Sequence, residues 1–197
     1  MSRRVFLLSP ANCGGERAQL LFSPRASFDL ARRIRAPGGA PLGEVMSFVS
    51  GLYFRGKLTY AARFGVPLVI TPHAGLRPPD DPVTLARLRA AARVDIHPEN
   101  PRYRRPLRVS ARAVASVLEP DDGVTLLGSI ASDKYVPALL EVFGTRLTFP
   151  KVFVGRGDMS RGGLLLRSVR YDVELDYVPV VGAVRHGPRP PRLERAR

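Results

Sequence analysis

The chain has one cysteine, no tryptophan, three histidines and only 17 acidic residues among 197. Each scarcity excludes something. A single thiol, Cys13, rules out an internal disulfide. Three scattered histidines and that thiol offer no ligand pair at a recognised spacing, so no metal is expected. No apolar run approaches the roughly 20 residues that cross a bilayer. The opening run Val5-Phe6-Leu7-Leu8 is cut by Ser9 and Pro10, too soon for the apolar stretch of a signal peptide. The expected setting is therefore a reducing cytoplasm, away from membranes. Neither ATP nor NAD is expected, because Gly14-Gly15 is followed by no Gly-Lys-Ser/Thr and forms no dinucleotide fingerprint.

The shortage of acid leaves a large surplus of base. Against the 17 acidic residues stand 31 Lys plus Arg, giving a net charge of +14 and a pI near 11.2. Such a chain attracts polyanions, and nucleic acid, above all double-stranded DNA, is the expected partner. The hydrophobic fraction of 45% is ample for one core. A monomer with a single domain over residues 1–184 is expected, followed by a flexible basic tail over 185–197 with five arginines and three prolines.

Four segments share one pattern, an apolar run that reads as a buried strand followed at once by a small polar cluster. They are Val5 to Ser9 before Asn12-Cys13-Gly14-Gly15, Pro67 to Thr71 before Pro72-His73-Ala74-Gly75, Val124 to Ile130 before Ser132-Asp133-Lys134-Tyr135, and Thr148 to Val154 before Gly155-Arg156-Gly157-Asp158. With helical periodicity between them, they predict a three-layer α/β domain built on a central, mainly parallel four-stranded sheet. In such a sheet ligands bind beyond the carboxyl ends of the strands, so the four clusters are expected to converge on one crevice.

Helical spacing is expected from Ser27 to Arg35, from Leu42 to Phe64 with weak points at Gly51 and Gly56, and from Val83 to Val94 behind an Asp81 cap. Pro98 to Pro106 reads as a basic, proline-broken loop whose Tyr103 can stack on a base, before helical spacing resumes over Val109 to Leu118. Further helices are expected from Lys134 to Phe143, capped by Asp133, and from Ser160 to Val169. Leu175 to Val181 reads as an edge strand because Pro179 lacks a donor.

Each candidate site residue has two readings. Asn12 and Gly14 either form a strand-to-helix turn or bring an amide and a bare backbone to a substrate. Cys13 is either a small buried hydrophobe or a thiol activated near a helix start. His73 either serves its turn or stabilises a leaving group. Arg156 and Arg161, set among glycines around Asp158, suit a phosphate, or else Asp158 simply pairs with a neighbouring arginine. Tyr53, Arg55 and Lys57 alternate aromatic and cation, half core and half available to an anion.

Tyr53-Phe54-Arg55-Gly56-Lys57-Leu58, Leu68-Val69-Ile70-Thr71-Pro72-His73-Ala74-Gly75-Leu76, and Leu126-Leu127-Gly128 with Asp133-Lys134-Tyr135-Val136 together resemble the small bacterial α/β proteins of the YaaA peroxide-stress group and a domain of archaeal tRNA-modifying enzymes. Those proteins are similar in fold to the uracil-DNA glycosylase superfamily, and the resemblance spans about residues 5 to 165. Asn12 resembles the water-positioning asparagine of the mismatch-specific branch. The full first and second glycosylase motifs are absent, which removes support for uracil specificity. The resemblance implies metal-independent excision of a modified base, such as a hypermodified cytosine of phage DNA. A flipped base would enter the crevice with Asn12 orienting water, His73 stabilising the departing base and Asp133 facing the sugar cation. Cys13, Gly14, Tyr53, Gly75 and Tyr135 would line the base pocket, and Arg55, Lys57, Lys134, Arg156 and Arg161 would hold the strand. The alternatives are a non-catalytic nucleic-acid-binding module and a nucleotide- or base-modifying transferase using the same crevice.

Overall fold

The computed structural model describes residues 3–191 and Leu193. From the N-terminus the chain forms β1 (Arg4–Leu8), α1 (Glu16–Phe22), α2 (Asp29–Arg33), β2 (Ala40–Pro41), α3 (Leu42–Ser50), α4 (Leu52–Phe64), β3 (Val66–Thr71), β4 (Gly75–Arg77) and β5 (Pro82–Val83). It continues through α5 (Leu85–Ala92), α6 (Pro101–Ala115), β6 (Gly123–Leu127), α7 (Val136–Phe143), β7 (Leu147–Pro150), α8 (Asp158–Tyr171) and β8 (Tyr177–Pro179).

The fold is α/β, with a six-stranded mixed sheet in the order β4-β3-β1-β6-β7-β8 and helices packed against it. The four expected strands are its parallel core, β3-β1-β6-β7. Two short antiparallel strands, β4 and β8, extend this core to six, and β8 is the proline-bearing edge expected from the sequence. β1 is buried on both faces, as a central parallel strand must be: Val5 and Leu7 join the cluster of α6 and α7, while Phe6 and Leu8 join that of α1, α3 and α4.

Chain order reverses at β1, since β3 lies on one side of it and β6 on the other. Backbone diverges there in opposite directions, which leaves a crevice beyond the carboxyl end of β1.

Glycines decide how the helices meet that crevice. The expected helix from Leu42 to Phe64 breaks at Gly51, whose φ of 67° is outside the helical region. The guanidinium of Arg17 lies 2.6 Å from where a β-carbon at Gly51 would sit. Further along, a β-carbon on Gly56 would lie 2.8 Å from the Gly162 carbonyl oxygen, and one on Gly162 would lie 2.9 Å from the Tyr53 Cα. The paired glycines let α4 and α8 touch backbone to backbone, bringing the start of α8 beside Lys57.

Several expectations need correction. Residues 101–106 are helix, not loop. Asn100 Oδ1 accepts the Arg102 N–H at 3.1 Å, and Pro101 occupies the first turn, where no backbone donor is needed. Pro106 forfeits one bond inside α6, and Ser110 Oγ donates to the Pro106 carbonyl at 2.8 Å while accepting the Leu76 N–H at 2.8 Å. Tyr103 therefore points into the core, 1% exposed, and cannot stack on a base. Thr84, not Asp81, caps α5, because Pro82 and Val83 pair with β2 and delay the helix, while Asp81 binds Arg77. α7 starts at Val136, behind an Asp133 that pairs with Arg185 instead of capping it. Of the expected tail, the carbonyl of Pro188 packs on Gly155 and that of Pro191 accepts a bond from Arg156. Residues 192 and 194–197 lie outside the described residues.

Candidate functional site

The crevice beyond β1 has a volume of about 760 Å³, within the range that takes a nucleotide-sized ligand. Three strand ends reach it: Ser9 after β1, Pro72 after β3 and Ser129 after β6. Asn12, Cys13 and Gly14 form one wall, Arg93 and Asp95 another, and Lys134 and Tyr135 a third. Tyr53, Lys57 and Asp158 line its α4–α8 side.

Lys57 is the most unusual group in it. Only 1% exposed, its ammonium donates to the Ser9 carbonyl at 2.7 Å and to Ser9 Oγ at 2.9 Å, and it lies 4.4 Å from the ring centre of Tyr53 and 4.8 Å from that of Phe54. Burial disfavours its charged form and lowers its pKa to about 7, a fall that Asp158 opposes and Arg161 reinforces. Arg161, 8% exposed, gives its guanidinium to the Phe153 carbonyl at 3.1 and 3.2 Å and to Asp158 at 3.3 Å. Arg161 thus pairs with a carboxylate that acts on Lys57 only through its field, and that carboxylate is exposed to the crevice. The Tyr53 hydroxyl is buried with no hydrogen-bond partner among the described residues, and desolvation pushes its pKa up. Tyr135 donates to the Ser129 carbonyl at 2.9 Å.

The crevice gathers Asn12, Cys13, Gly14, Tyr53, Lys57, Lys134 and Tyr135 from the expected set. Asn12 is held in its turn, its Oδ1 accepting the Gly14 N–H at 3.1 Å. Cys13 faces the Ala11 carbonyl and the Met46 sulfur, and burial raises its thiol to about 12, which removes it as a nucleophile at neutral pH.

The other expected residues lie elsewhere. His73 lines a separate pocket of about 290 Å³ with Met46, Arg77 and Arg87, and burial lowers its pKa. Asp133 sits in a groove beside Tyr103 and Arg104. Gly75 serves the β3–β4 turn, with φ of 69° and the Pro106 carbonyl 2.3 Å from where a β-carbon would sit. Arg55 lies in an open groove with Arg17 and Met159. Arg156 is tied to the carbonyls of Val152 and Pro191 and to Ser160. Arg161 is spent on the interior.

Three groups were not singled out as reactive from the sequence. Ser9 closes the first apolar run, Asp158 opens α8, and Arg93 ends α5. The pairing of Asp158 with a neighbouring arginine was legible, but its place in the crevice depends on the Gly56–Gly162 contact.

Together these features define an α/β protein whose mainly parallel six-stranded sheet carries a polar crevice at its switch point. Comparison with protein-family models, curated proteins and solved structures finds no match for this chain.

Proposed function

We propose that the protein is a DNA glycosylase that receives an extruded, modified nucleotide in this crevice and cleaves its N-glycosidic bond. The observation that carries the reading is the Asp158 carboxylate, held by Arg161 and open to a crevice of nucleotide size. Loss of the base leaves positive charge on the sugar, and a fixed carboxylate at that point stabilises it. Asp158 takes the role first given to Asp133. The Asn12 amide, at the crevice wall, is available to orient water, and the Lys134 ammonium, in the same crevice, is a donor for a departing base. Arg93 and Lys134 are both exposed at the rim, suited to the flanking phosphates. The resemblance of Tyr53–Leu58, Leu68–Leu76 and Asp133–Val136 to the YaaA group, which is similar in fold to the uracil-DNA glycosylase superfamily, supports the same reading.

The test is incubation with unmodified, uracil-containing and glucosylated-cytosine phage DNA, followed by alkaline cleavage at abasic sites. Strand breaks on one modified DNA, lost in Asp158→Asn, are the expected result. Intact DNA throughout would overturn the reading. A binding module is the second reading, favoured by Arg102 and Arg105 on the outer face of α6, and it predicts tight, salt-sensitive binding without base loss.

A further inference from the structure

Ser9 ends the central strand inside the crevice, and its hydroxyl meets an amine buried in the same place. Lys57 Nζ stands 2.9 Å from Ser9 Oγ. A second bond, to the Ser9 carbonyl at 2.7 Å, fixes the amine, and the rings of Tyr53 and Phe54 close its remaining sides. Gly128 keeps the opposite side clear: a β-carbon there would lie 2.8 Å from Ser9 Cβ, 2.8 Å from the Tyr135 hydroxyl and 3.2 Å from Ser9 Oγ. A hydroxyl within hydrogen-bond reach of a base, with the base oriented by further groups, is the geometry of an activated nucleophile.

We propose that Ser9 is a nucleophile activated by Lys57, and that the crevice transfers a phosphoryl group from a phosphate ester to Ser9 Oγ. The choice of a phosphate ester follows from the charge around it, Arg93 and Lys134 at the rim and Arg161 behind. Asp158, paired with Arg161, and Asp95 also face this space, and they set its limit for highly charged ligands. This inference goes beyond the glycosidic reading and needs no base release.

When Lys57 is neutral the 2.9 Å contact reverses, and the Ser9 O–H donates to the nitrogen lone pair. Attack forms the Oγ–P bond as the proton passes to Lys57. The ester P–O bond breaks, its electron pair leaves with the alcohol oxygen, and that oxygen takes the proton back from Lys57. Water then attacks phosphorus and gives one proton to Lys57, the P–Oγ bond breaks with its electron pair going to Oγ, and Lys57 passes that proton to Ser9 as phosphate leaves. Lys57 is available as a base at neutral pH because burial holds it at about 7. The charged groups facing it are Asp158 and Arg161 of α8, with the hydroxyls of Tyr53 and Tyr135 beside them.

An alkyl fluorophosphonate tests this on the full chain, because Ser9 attack forms Oγ–P, breaks P–F and releases fluoride. The expected result is one adduct by intact mass, mapped to Ser9, forming faster as pH rises through about 7. Ser9→Ala removes the adduct, and Lys57→Met slows it by about 100-fold. No adduct, an adduct elsewhere, or Lys57→Met labelling at the wild-type rate would overturn the proposal. If Lys57→Met does not fold, the wild-type rate decides, since a flat profile from about pH 5 to about pH 9 also overturns it. Base release is scored separately on the DNA panel, so either reading can fail while the other stands.

Discussion

The crevice floor and the outer face of α6 hold cations under opposite conditions. Lys57 and Arg161 are buried and satisfied by named carbonyls, and Arg161 also pairs with Asp158. Arg102 and Arg105 are exposed and lie in water. A buried charge is sensitive to every atom around it, whereas an exposed one acts mainly through long-range attraction that salt screens. The comparison separates the +14 of the whole chain, which concerns partners, from a few buried groups that concern chemistry.

The largest expected effect breaks the two regions apart. Asp158→Asn should lower base release by about 10²- to 10³-fold, the cost of losing one preorganised electrostatic group. Its DNA affinity should change little, as measured by titration of labelled duplex. Equal losses of affinity and release would instead place Asp158 in strand binding.

The next effect is on stability. The folded chain holds Lys57 at about 7, against an ordinary value of 10.5. Between these values the unfolded chain carries a proton that the folded chain lacks, so stability rises with pH in that window. The gain from pH 7 to about pH 9, above which the raised Cys13 thiol begins to oppose it, should be on the order of 2 kcal/mol. Beyond about pH 10 the buried Tyr53, Tyr103 and Tyr135, whose pKa values burial raises, oppose it. Urea unfolding of wild type and Lys57→Met checks this, and Lys57→Met should show no such rise. A parallel rise in both would mean that Lys57 is hydrated in solution.

The double variant Arg102→Ala/Arg105→Ala should act the other way. Duplex affinity should fall by about tenfold at low salt, and the slope of log affinity against log salt should shrink by about 2. Base release at saturating DNA should be unaltered.

The sequence made the parallel core legible because buried strands announce themselves as apolar runs, and all four strands form, although the fourth ends at Pro150, where Lys151–Phe153 turns as a 3-10 helix instead of running on to Val154. The residues of the site were less legible. Pro101 and Pro106 signal a loop locally, yet Asn100 and Ser110 supply the bonds that make a helix of them. Asp133 and His73 follow their strands as Asn12 does, but side chains at successive strand ends face different pockets, and nothing in a linear pattern says which. Asp158 enters the crevice only through a contact between two glycines about a hundred residues apart, which no local pattern encodes.

The smallest expected effect concerns His73 and sharpens where the crevice ends. Its Nδ1 is buried without a hydrogen-bond partner among the described residues, and burial together with Arg87 holds the imidazole below its ordinary value, so it is neutral at pH 7. A neutral ring in a separate pocket has no route to a departing base, and His73→Gln should leave base release within about twofold of wild type; a positioned acid or base would cost at least about 10²-fold. Pro72 and Ala91 line both spaces and form the wall between them. A tenfold loss in His73→Gln would mean that this wall moves on binding, joining the two pockets and restoring His73 to the site.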